Sequence, residues 1–184
     1  HDLGQHHAVA CAREMPDRQK LAAALAQFER VVLLTGGPGT GKTTTVARIL
    51  VLAIEASRRR GETLRVALAA PTGKAAARLS ESLRESYAAL EADGRIDATL
   101  RADLPSDAST LHRLLGGRSD SVRFAHDASN PLAADLVVVD EASMVDLPLM
   151  SKLAGALPAH ARLILLGDRD QLPSVETGDV LAAL

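Results

Sequence analysis

The sequence predicts an α/β fold in which helices cover both faces of a parallel sheet. Four short aliphatic runs, at residues 31–35, 65–70, 136–139 and 162–166, have the length and composition of buried strands. Helical segments separate these runs, as crossovers between parallel strands require. Each run ends in a polar or glycine-rich loop, and ligands of such sheets bind at the edge where these loops meet.

Composition is consistent with one domain that needs no covalent staple. The chain has 184 residues, 47% of them hydrophobic, and its 21 basic and 23 acidic side chains give a formal net charge of −2. The single cysteine, Cys11, excludes an internal disulfide and is expected to be a small buried hydrophobe. The sequence contains neither a long apolar run nor a signal-peptide pattern, so we expect a cytoplasmic location. The near-neutral charge does not exclude a local nucleic-acid groove.

The first helix is predicted to begin at Pro16 and Asp17. Residues 1–16 show no clear periodicity and are interpreted as a tail or a remnant of an upstream region. Gln19 lies in the first turn of the helix, where periodicity alone favours a solvated amide. Apolar residues then recur at helical spacing, at Leu21, Ala24, Leu25 and Phe28.

Residues 35–45 read TGGPGTGKTTT and directly follow the first strand. Glycines let a backbone curl so that several N–H groups point at one anion, and the positive end of the following helix adds to the attraction. This pattern between a strand and a helix is typical of a phosphate-binding loop. Lys42 is expected to reach the β and γ phosphates, and Thr43 to offer its hydroxyl to Mg²⁺. The predicted nucleotide contacts in the loop are Gly36, Gly37, Pro38, Gly39, Thr40, Gly41, Lys42, Thr43 and Thr44.

The helix after this loop is expected to reach Ser57 and to end in three arginines, residues 58–60, which suit a helix C terminus. The second strand, residues 65–70, leads through the turn APTGK into a long helix rich in Ala, Leu and Arg. A turn of this composition suits the phosphate backbone of a nucleic acid, but it also suits an ordinary connection between strand and helix. Residue types alone leave both readings open.

The middle of the chain is more polar. Residues 91–108 are predicted to form connections with one short helix, and residues 109–116 a second short helix with an N-cap and a glycine stop. His112 in that helix could cap or pack, or it could donate a hydrogen bond to a sugar-phosphate. Residues 117–131 are rich in turn formers and predict a surface excursion.

The third strand runs directly into Asp140 and Glu141. Two carboxylates at the end of an apolar strand are costly unless they meet a cation or water. Together with the phosphate loop, they indicate that Asp140 holds Mg²⁺ and that Glu141 orients the attacking water or accepts its proton. A helix over about residues 146–157 and the fourth strand follow. Gln171, in the loop after that strand, could sense a γ-phosphate or be a surface amide.

Five blocks in this order resemble the first motor domain of superfamily 1 DNA helicases: TGGPGTGKTTT, APTGKAAARLSESL, ASTLHRLLG, LVVVDEASMVDLPLM and LLGDRDQLPSVETGDVLAAL. Within that superfamily the chain is most similar to the alpha subunits of exodeoxyribonuclease V. The resemblance implies a RecA-like P-loop NTPase domain over residues 17–184, with ATP and Mg²⁺ as cofactors and single-stranded DNA as a partner. It also implies 5′ to 3′ movement and work beside the beta and gamma subunits in double-strand break repair. Nuclease chemistry in that enzyme belongs to the beta subunit.

The resemblance also implies roles for single residues. Gln19 matches a glutamine that reads adenine, and Gln171 matches a γ-phosphate sensor that completes a catalytic set with Lys42, Asp140 and Glu141. The single-stranded DNA contacts it implies are Pro71, Thr72, Gly73 and Lys74 in one motif and Thr110 and His112 in a second. Helicases of this family also need a second RecA-like domain that supplies an arginine finger, a group worth about 10³- to 10⁵-fold in related enzymes. This chain alone is therefore expected to bind nucleotide but to hydrolyse it poorly.

Two other classes of function are compatible with some of these motifs. A small-molecule phosphotransferase could use the same loop, but it would need an acceptor pocket and a lid, and neither stands out in the sequence. A non-catalytic interaction module could keep the fold, but the intact set of Lys42, Thr43, Asp140 and Glu141 argues against it. The two loops matched to DNA contacts favour a DNA-translocating ATPase, because an enzyme that acts only on nucleotide does not need them.

Overall fold

The computed structural model describes residues 26, 29–37, 39–117 and 124–167. The first helix predicted from the sequence lies outside these residues except for Ala26, which is helical and buried. Strands and helices alternate along the rest. They are β1 (Val31–Thr35), α1 (Lys42–Arg59), β2 (Val66–Ala70), α2 (Gly73–Ala92), α3 (Ala98–Asp103), β3 (Ala108–Thr110), α4 (Leu111–Leu114), β4 (Leu136–Val139), a 3₁₀ turn (Ala142–Met144), α5 (Leu147–Ala156) and β5 (Arg162–Gly167).

The described strands form one parallel sheet of five strands in the order β1-β5-β4-β2-β3. The four strands predicted from aliphatic runs are all present, and the parallel arrangement is confirmed. The fifth strand, β3, was not predicted, because the sequence Ala-Ser-Thr has no apolar run. It forms because the edge of β2 offers backbone partners, and the buried hydroxyl of Ser80 also accepts the Ala108 N–H at 2.9 Å.

Helices cover both faces of the sheet, as predicted. Alternate residues of each strand point to opposite faces, so the strands contribute to two separate aliphatic cores. On one face α1, α2 and α3 pack on residues such as Val138 and Ile164. On the other face α4 and α5 pack on Val137, Val139 and Leu165. The sheet is thus the middle layer of three, and its loops are confined to its two edges.

The edge at which the strands begin is held together by the carboxylate of Asp135. This side chain accepts hydrogen bonds from the Arg65 backbone N–H at 2.8 Å and from Arg65 Nε and Nη2 at 3.0 and 2.8 Å. His160 Nε2 lies 3.1 Å from the same carboxylate. These contacts, the Arg65 side chain first, hold the pKa of Asp135 well below its usual range. Asp135 therefore links the start of β2 to the start of β4.

We expect Asp135→Ala to lower the free energy of unfolding by about 1–3 kcal/mol at pH 7, the usual range for a lost hydrogen bond to a charged group. Because the pKa of Asp135 is depressed in the folded state, its contribution is present above the unfolded pKa of about 3.9 and is lost as pH falls below it. Urea denaturation of both proteins at pH 7 and at pH 3 measures this difference.

The matched control is Asp107→Ala, since Asp107 forms an ion pair with Arg84 in which the carboxylate side chain is 90% exposed. An exposed pair of this kind contributes only about 0–1 kcal/mol. Equal losses for the two variants, or a loss for Asp135→Ala that is the same at both pH values, would contradict the assignment.

Candidate nucleotide and nucleic-acid site

The carboxyl edge of the sheet brings the described members of the predicted site into one row. The phosphate loop follows β1, and Asp140 and Glu141 follow β4, with β5 between these two strands. The turn at residues 71–74 follows β2, beside β4, while Thr110 ends β3 and His112 lies in α4 directly after it. The phosphate loop and the two carboxylates therefore lie toward one end of the row, and the loops after β2 and β3 lie toward the other, with neighbouring strands about 4.8 Å apart.

The phosphate loop folds as the sequence pattern requires. Gly41 has φ of 79°, a left-handed conformation that glycine adopts without strain, and α1 begins at the next residue. At Gly36 a Cβ atom would lie 2.6 Å from Thr40 Oγ1, so a larger residue there would displace the loop. Thr40 Oγ1 in turn donates to the Gly37 carbonyl at 2.9 Å. The loop is therefore closed on itself by its own side chain.

Lys42 lies over this loop. Its Nζ donates to the carbonyl oxygens of Gly36 and, at 3.1 Å, of Gly37. The ammonium group is thus held at the mouth of the loop, within a few ångströms of the backbone that would surround a phosphate. Thr43, the next residue, is half-buried in the first turn of α1 and Thr44 is exposed. The structure therefore places Lys42 and Thr43 beside the described residues of the loop.

Asp140 is fixed between two strands. Its N–H donates to the Ala69 carbonyl of β2 at 2.9 Å, and its Oδ1 accepts the Glu141 N–H at 2.9 Å. Burial raises the pKa of the Asp140 carboxyl, while the Glu141 N–H and the charges of Lys42 and Arg78 act in the opposite direction. The phosphate loop and Asp140 lie at the same edge of the sheet, after strands that only β5 separates.

Glu141 has an unusual backbone. Among the described residues other than glycine, it alone has a positive φ, at 50°. The left-handed conformation of a residue of this size costs on the order of 1 kcal/mol and is concentrated at functional sites. It turns the chain sharply from β4 into the 3₁₀ turn, with Glu141 half-buried at the sheet edge. Sequence reasoning identified the carboxylate but had no signal for this strain.

The donors present suit Mg²⁺ better than a transition metal. Mg²⁺ binds proteins through one or two hard oxygens and retains phosphate and water ligands, and Thr43 and Asp140 provide a hydroxyl and a carboxylate. Across residues 29–37, 39–117 and 124–167 no group of three or more His, Cys, Asp or Glu side chains forms a metal cage. A site completed by nucleotide phosphates is consistent with that donor set.

The residues matched to DNA contacts lie on two adjacent helix starts. Thr72 caps α2 by accepting the Ala75 N–H at 3.2 Å, and Thr110 caps α4 by accepting the Arg113 N–H at the same distance. The two loops are neighbours because Ala70 of β2 pairs with Thr110 of β3. Each of these threonines therefore has a structural role whether or not it contacts DNA.

Other residues of these two loops point outward. Gly73 and Lys74 are exposed, and Pro71 is half-buried. His112 is exposed, with its ring centroid 5.7 Å from that of Phe124, so it packs on one side and is open on the other. The exposed side chains of Lys74 and His112 are the ones free to reach a ligand at this end of the row.

Three predicted site residues, Gln19, Pro38 and Gln171, lie outside the described residues. Ser143 was missed by the sequence reasoning, although it lies only two residues after Glu141. Its hydroxyl is buried and accepts or donates no hydrogen bond among the described residues. In the part of the chain that the structure describes, no helix is long and apolar enough to cross a bilayer.

Comparison with known proteins gives relatives with substantial sequence identity over most of this chain. The RecBCD enzyme subunit RecD of Mycobacterium tuberculosis is 55% identical over 170 residues, which are 91% of this chain and 28% of that protein. The RecBCD enzyme subunit RecD of Haemophilus influenzae is 46% identical over 172 residues, which are 94% of this chain and 26% of that protein. The ATP-dependent RecD2 DNA helicase of Deinococcus radiodurans is 43% identical over 155 residues, which are 84% of this chain and 18% of that protein. The chain therefore spans less than a third of the length of each of these relatives.

Solved structures and family models agree on the fold. A chain from a structure of two coordinating Pif1 helicases at forked double-stranded DNA superposes with a TM-score of 0.54 at 20% sequence identity, covering 88% of this chain and 35% of that one. This likeness supports the RecA-like P-loop NTPase fold predicted from the sequence. The model of the AAA domain family matches residues 19–177. Because that match covers well over half of its residues, the chain belongs to the AAA domain family.

Proposed function

We propose that this chain is the ATP-binding motor domain of a 5′ to 3′ DNA helicase or translocase, the alpha subunit of an exodeoxyribonuclease V. The observation that carries the proposal is the row at the carboxyl edge of the sheet. The phosphate loop and two carboxylates occupy one half, and two loops with exposed Lys74 and His112 occupy the other. An enzyme that acts only on nucleotide has no use for the second half. The names of the relatives, a RecBCD subunit and a DNA helicase, support the same reading.

In this proposal the loop N–H groups and Lys42 bind the β and γ phosphates. Thr43 and Asp140 would hold Mg²⁺, which would neutralise charge that develops on the phosphates. Glu141 accepts a proton from the water whose oxygen attacks the γ-phosphorus, while the bond from that phosphorus to the β-phosphate oxygen breaks and ADP leaves. In the same proposal Gln19 contacts adenine and Gln171 senses the γ-phosphate. Both residues lie outside the described part of the chain.

A direct path connects the two halves of the row. The N–H of Asp140 donates to the carbonyl of Ala69, and the DNA-facing turn begins two residues later at Pro71. A displacement of this turn by bound single-stranded DNA would therefore also shift Asp140, the residue proposed to hold the metal. The reverse also holds, since coupling between two ligands is reciprocal.

The full activity is proposed to need more than these residues. A second RecA-like domain would supply an arginine finger and the other side of the DNA track, and residues 17–184 would form the first such domain. The proposed partners are single-stranded DNA and the beta and gamma subunits of exodeoxyribonuclease V, in the cytoplasm, in double-strand break repair and recombination.

The test is the rate of ATP hydrolysis, with and without single-stranded DNA, by the protein extended to the length of its relatives. We expect clear stimulation by DNA and little hydrolysis by the 184-residue chain alone. Hydrolysis that single-stranded DNA leaves unchanged would contradict the motor function and favour a phosphotransferase.

Lys74→Ala separates DNA binding from nucleotide binding. Because Lys74 is exposed at the start of α2, its loss is expected to weaken binding of the extended protein to single-stranded DNA by about 3- to 10-fold near 0.1 M salt. The slope of log affinity against log salt should become shallower by up to about one unit, since one phosphate contact is removed. Fluorescence anisotropy over a salt series measures both quantities.

Arg84→Ala is the control for this prediction, because Arg84 is an exposed cation on the same helix that pairs with Asp107. It should leave DNA affinity and the salt slope unchanged. An equal effect of the two substitutions would mean that only net charge matters and that the turn at residues 71–74 is not a DNA contact.

A further inference from the structure

The hydroxyl of Ser143 differs from those of the two buried serines among the described residues. The hydroxyl of Ser57 donates to the Glu62 carbonyl at 3.0 Å, and the hydroxyl of Ser80 donates to the Ala76 carbonyl at 2.9 Å. Ser143 as a whole is half-buried, but its hydroxyl oxygen is shielded from solvent and no described residue hydrogen bonds to it. A buried hydroxyl without a partner is unfavourable, and alanine would fill nearly the same space without that cost.

The position of this hydroxyl is set by a rigid turn. Glu141 adopts the left-handed conformation, and the Met144 N–H then donates to the Glu141 carbonyl at 3.0 Å. The Val145 N–H donates to the Ala142 carbonyl at 3.2 Å, and the Ala142 and Val145 side chains are both buried. The turn also packs against β5. Ser143 is therefore held in a half-buried position two residues from the proposed catalytic carboxylate.

The same turn exposes its next side chain. Met144 is 55% exposed, whereas the Ser143 oxygen is shielded. The backbone thus directs the polar group inward and the apolar group outward, the reverse of what stability alone favours. A shielded hydroxyl without a protein partner calls for an explanation, and the ligand site nearest to it along the chain is the proposed nucleotide site at this edge of the sheet.

We infer that Ser143 is a positioning residue for ATP hydrolysis. When nucleotide is bound, its hydroxyl donates a hydrogen bond to the Glu141 carboxylate and holds that carboxylate in place to accept the proton of the attacking water. This inference rests on the proposed function of the site, because it assigns a partner to Glu141 in its catalytic role. Ser143 itself touches neither nucleotide nor metal.

Ser143→Ala is expected to change stability and turnover in opposite directions. The melting temperature of the 184-residue chain should rise by about 2–4 °C, because an unpaired buried polar group is removed. In the extended protein, kcat for ATP hydrolysis should fall about 10-fold while KM for ATP stays within about twofold, since only the orientation of a catalytic group is lost.

Ser57→Ala is the matched control, since it removes a buried serine hydroxyl that is hydrogen-bonded and lies at the opposite end of α1 from the phosphate loop. It should lower the melting temperature and leave kcat unchanged. An unchanged kcat in Ser143→Ala would overturn the inference and leave Ser143 an incidental unpaired group. A fall in both kcat and melting temperature would also overturn it, because Ser143 would then be a structural residue.

Both variants are assayed for ATP hydrolysis without DNA. If the unaltered protein hydrolyses ATP but DNA does not stimulate it, the motor function is refuted and the role of Ser143 is still tested. Absence of any hydrolysis by the unaltered protein would overturn both.

Discussion

Lys42→Ala is expected to abolish protection of the chain by Mg-ATP and to lower the rate of ATP hydrolysis by at least about 10²-fold, the usual cost of removing one donor to a developing negative charge. Lys42 Nζ lies at the carbonyls of Gly36 and Gly37, where phosphate oxygens would compete for its three N–H groups. Its loss removes a positive charge from the mouth of the loop and leaves the backbone N–H groups to bind a polyphosphate alone.

Thermal denaturation of the 184-residue chain with and without Mg-ATP measures the binding step. At a nucleotide concentration about 100 times Kd, binding stabilises the unaltered chain by about 2.7 kcal/mol, which corresponds to a rise of about 5–10 °C. The variant should show almost none of this rise. Because Lys42 also closes the loop, the relevant quantity is the shift caused by nucleotide in each protein and not the melting temperature itself.

Lys152→Ala is the control, since Lys152 is an exposed lysine on α5, away from the carboxyl edge. It should be protected as fully as the unaltered chain. Equal protection of Lys42→Ala would show that nucleotide does not bind at this loop.

The parts of the fold that could be predicted from sequence are those specified by local chemistry. Strands β1 and β4 are continuous aliphatic runs, and α5 begins where Asp146 accepts the Leu149 N–H at 2.8 Å, within a residue of the predicted start. The strand β3 could not be predicted, because its three residues become a strand only when β2 offers them an edge. Its formation depends on partners distant in sequence, including Ser80 on α2.

The features of the candidate site can be divided in the same way, into those that local sequence specifies and those that depend on the folded structure. The phosphate loop and the two carboxylates follow directly from motifs that are contiguous in sequence, and the structure brings Lys42 and Asp140 to one edge of the sheet. No sequence motif specifies the order of the strands in the sheet. This order is what makes the loops after β2 and β3 neighbours. The left-handed backbone of Glu141 and the unpaired hydroxyl of Ser143 also lack a sequence signal, since neither residue type favours such a position. The DNA contacts remain predictions.

Glu141→Gln is expected to retain nucleotide binding and to lower kcat for ATP hydrolysis by about 10²- to 10⁴-fold, the range for loss of a general base. Glutamine has nearly the same shape as glutamate and an amide that still accepts hydrogen bonds, but it cannot take a proton from water. Thermal protection by Mg-ATP should therefore equal that of the unaltered chain, in contrast to Lys42→Ala. Steady-state hydrolysis by the extended protein gives kcat.

The strained backbone allows the chemical and conformational roles of Glu141 to be separated. Glu141→Gly also removes the carboxylate, but it relieves the positive φ of 50° and should raise the free energy of unfolding, whereas Glu141→Gln keeps the strain and should leave it nearly unchanged. If both variants lose hydrolysis equally while only the glycine variant gains stability, the carboxylate is the catalytic group and the strain is the cost of its position. Glu85→Gln, an exposed change on α2, should alter neither quantity. Retention of hydrolysis by Glu141→Gln would contradict its assignment as the base and would leave the water to be activated by another group at this edge.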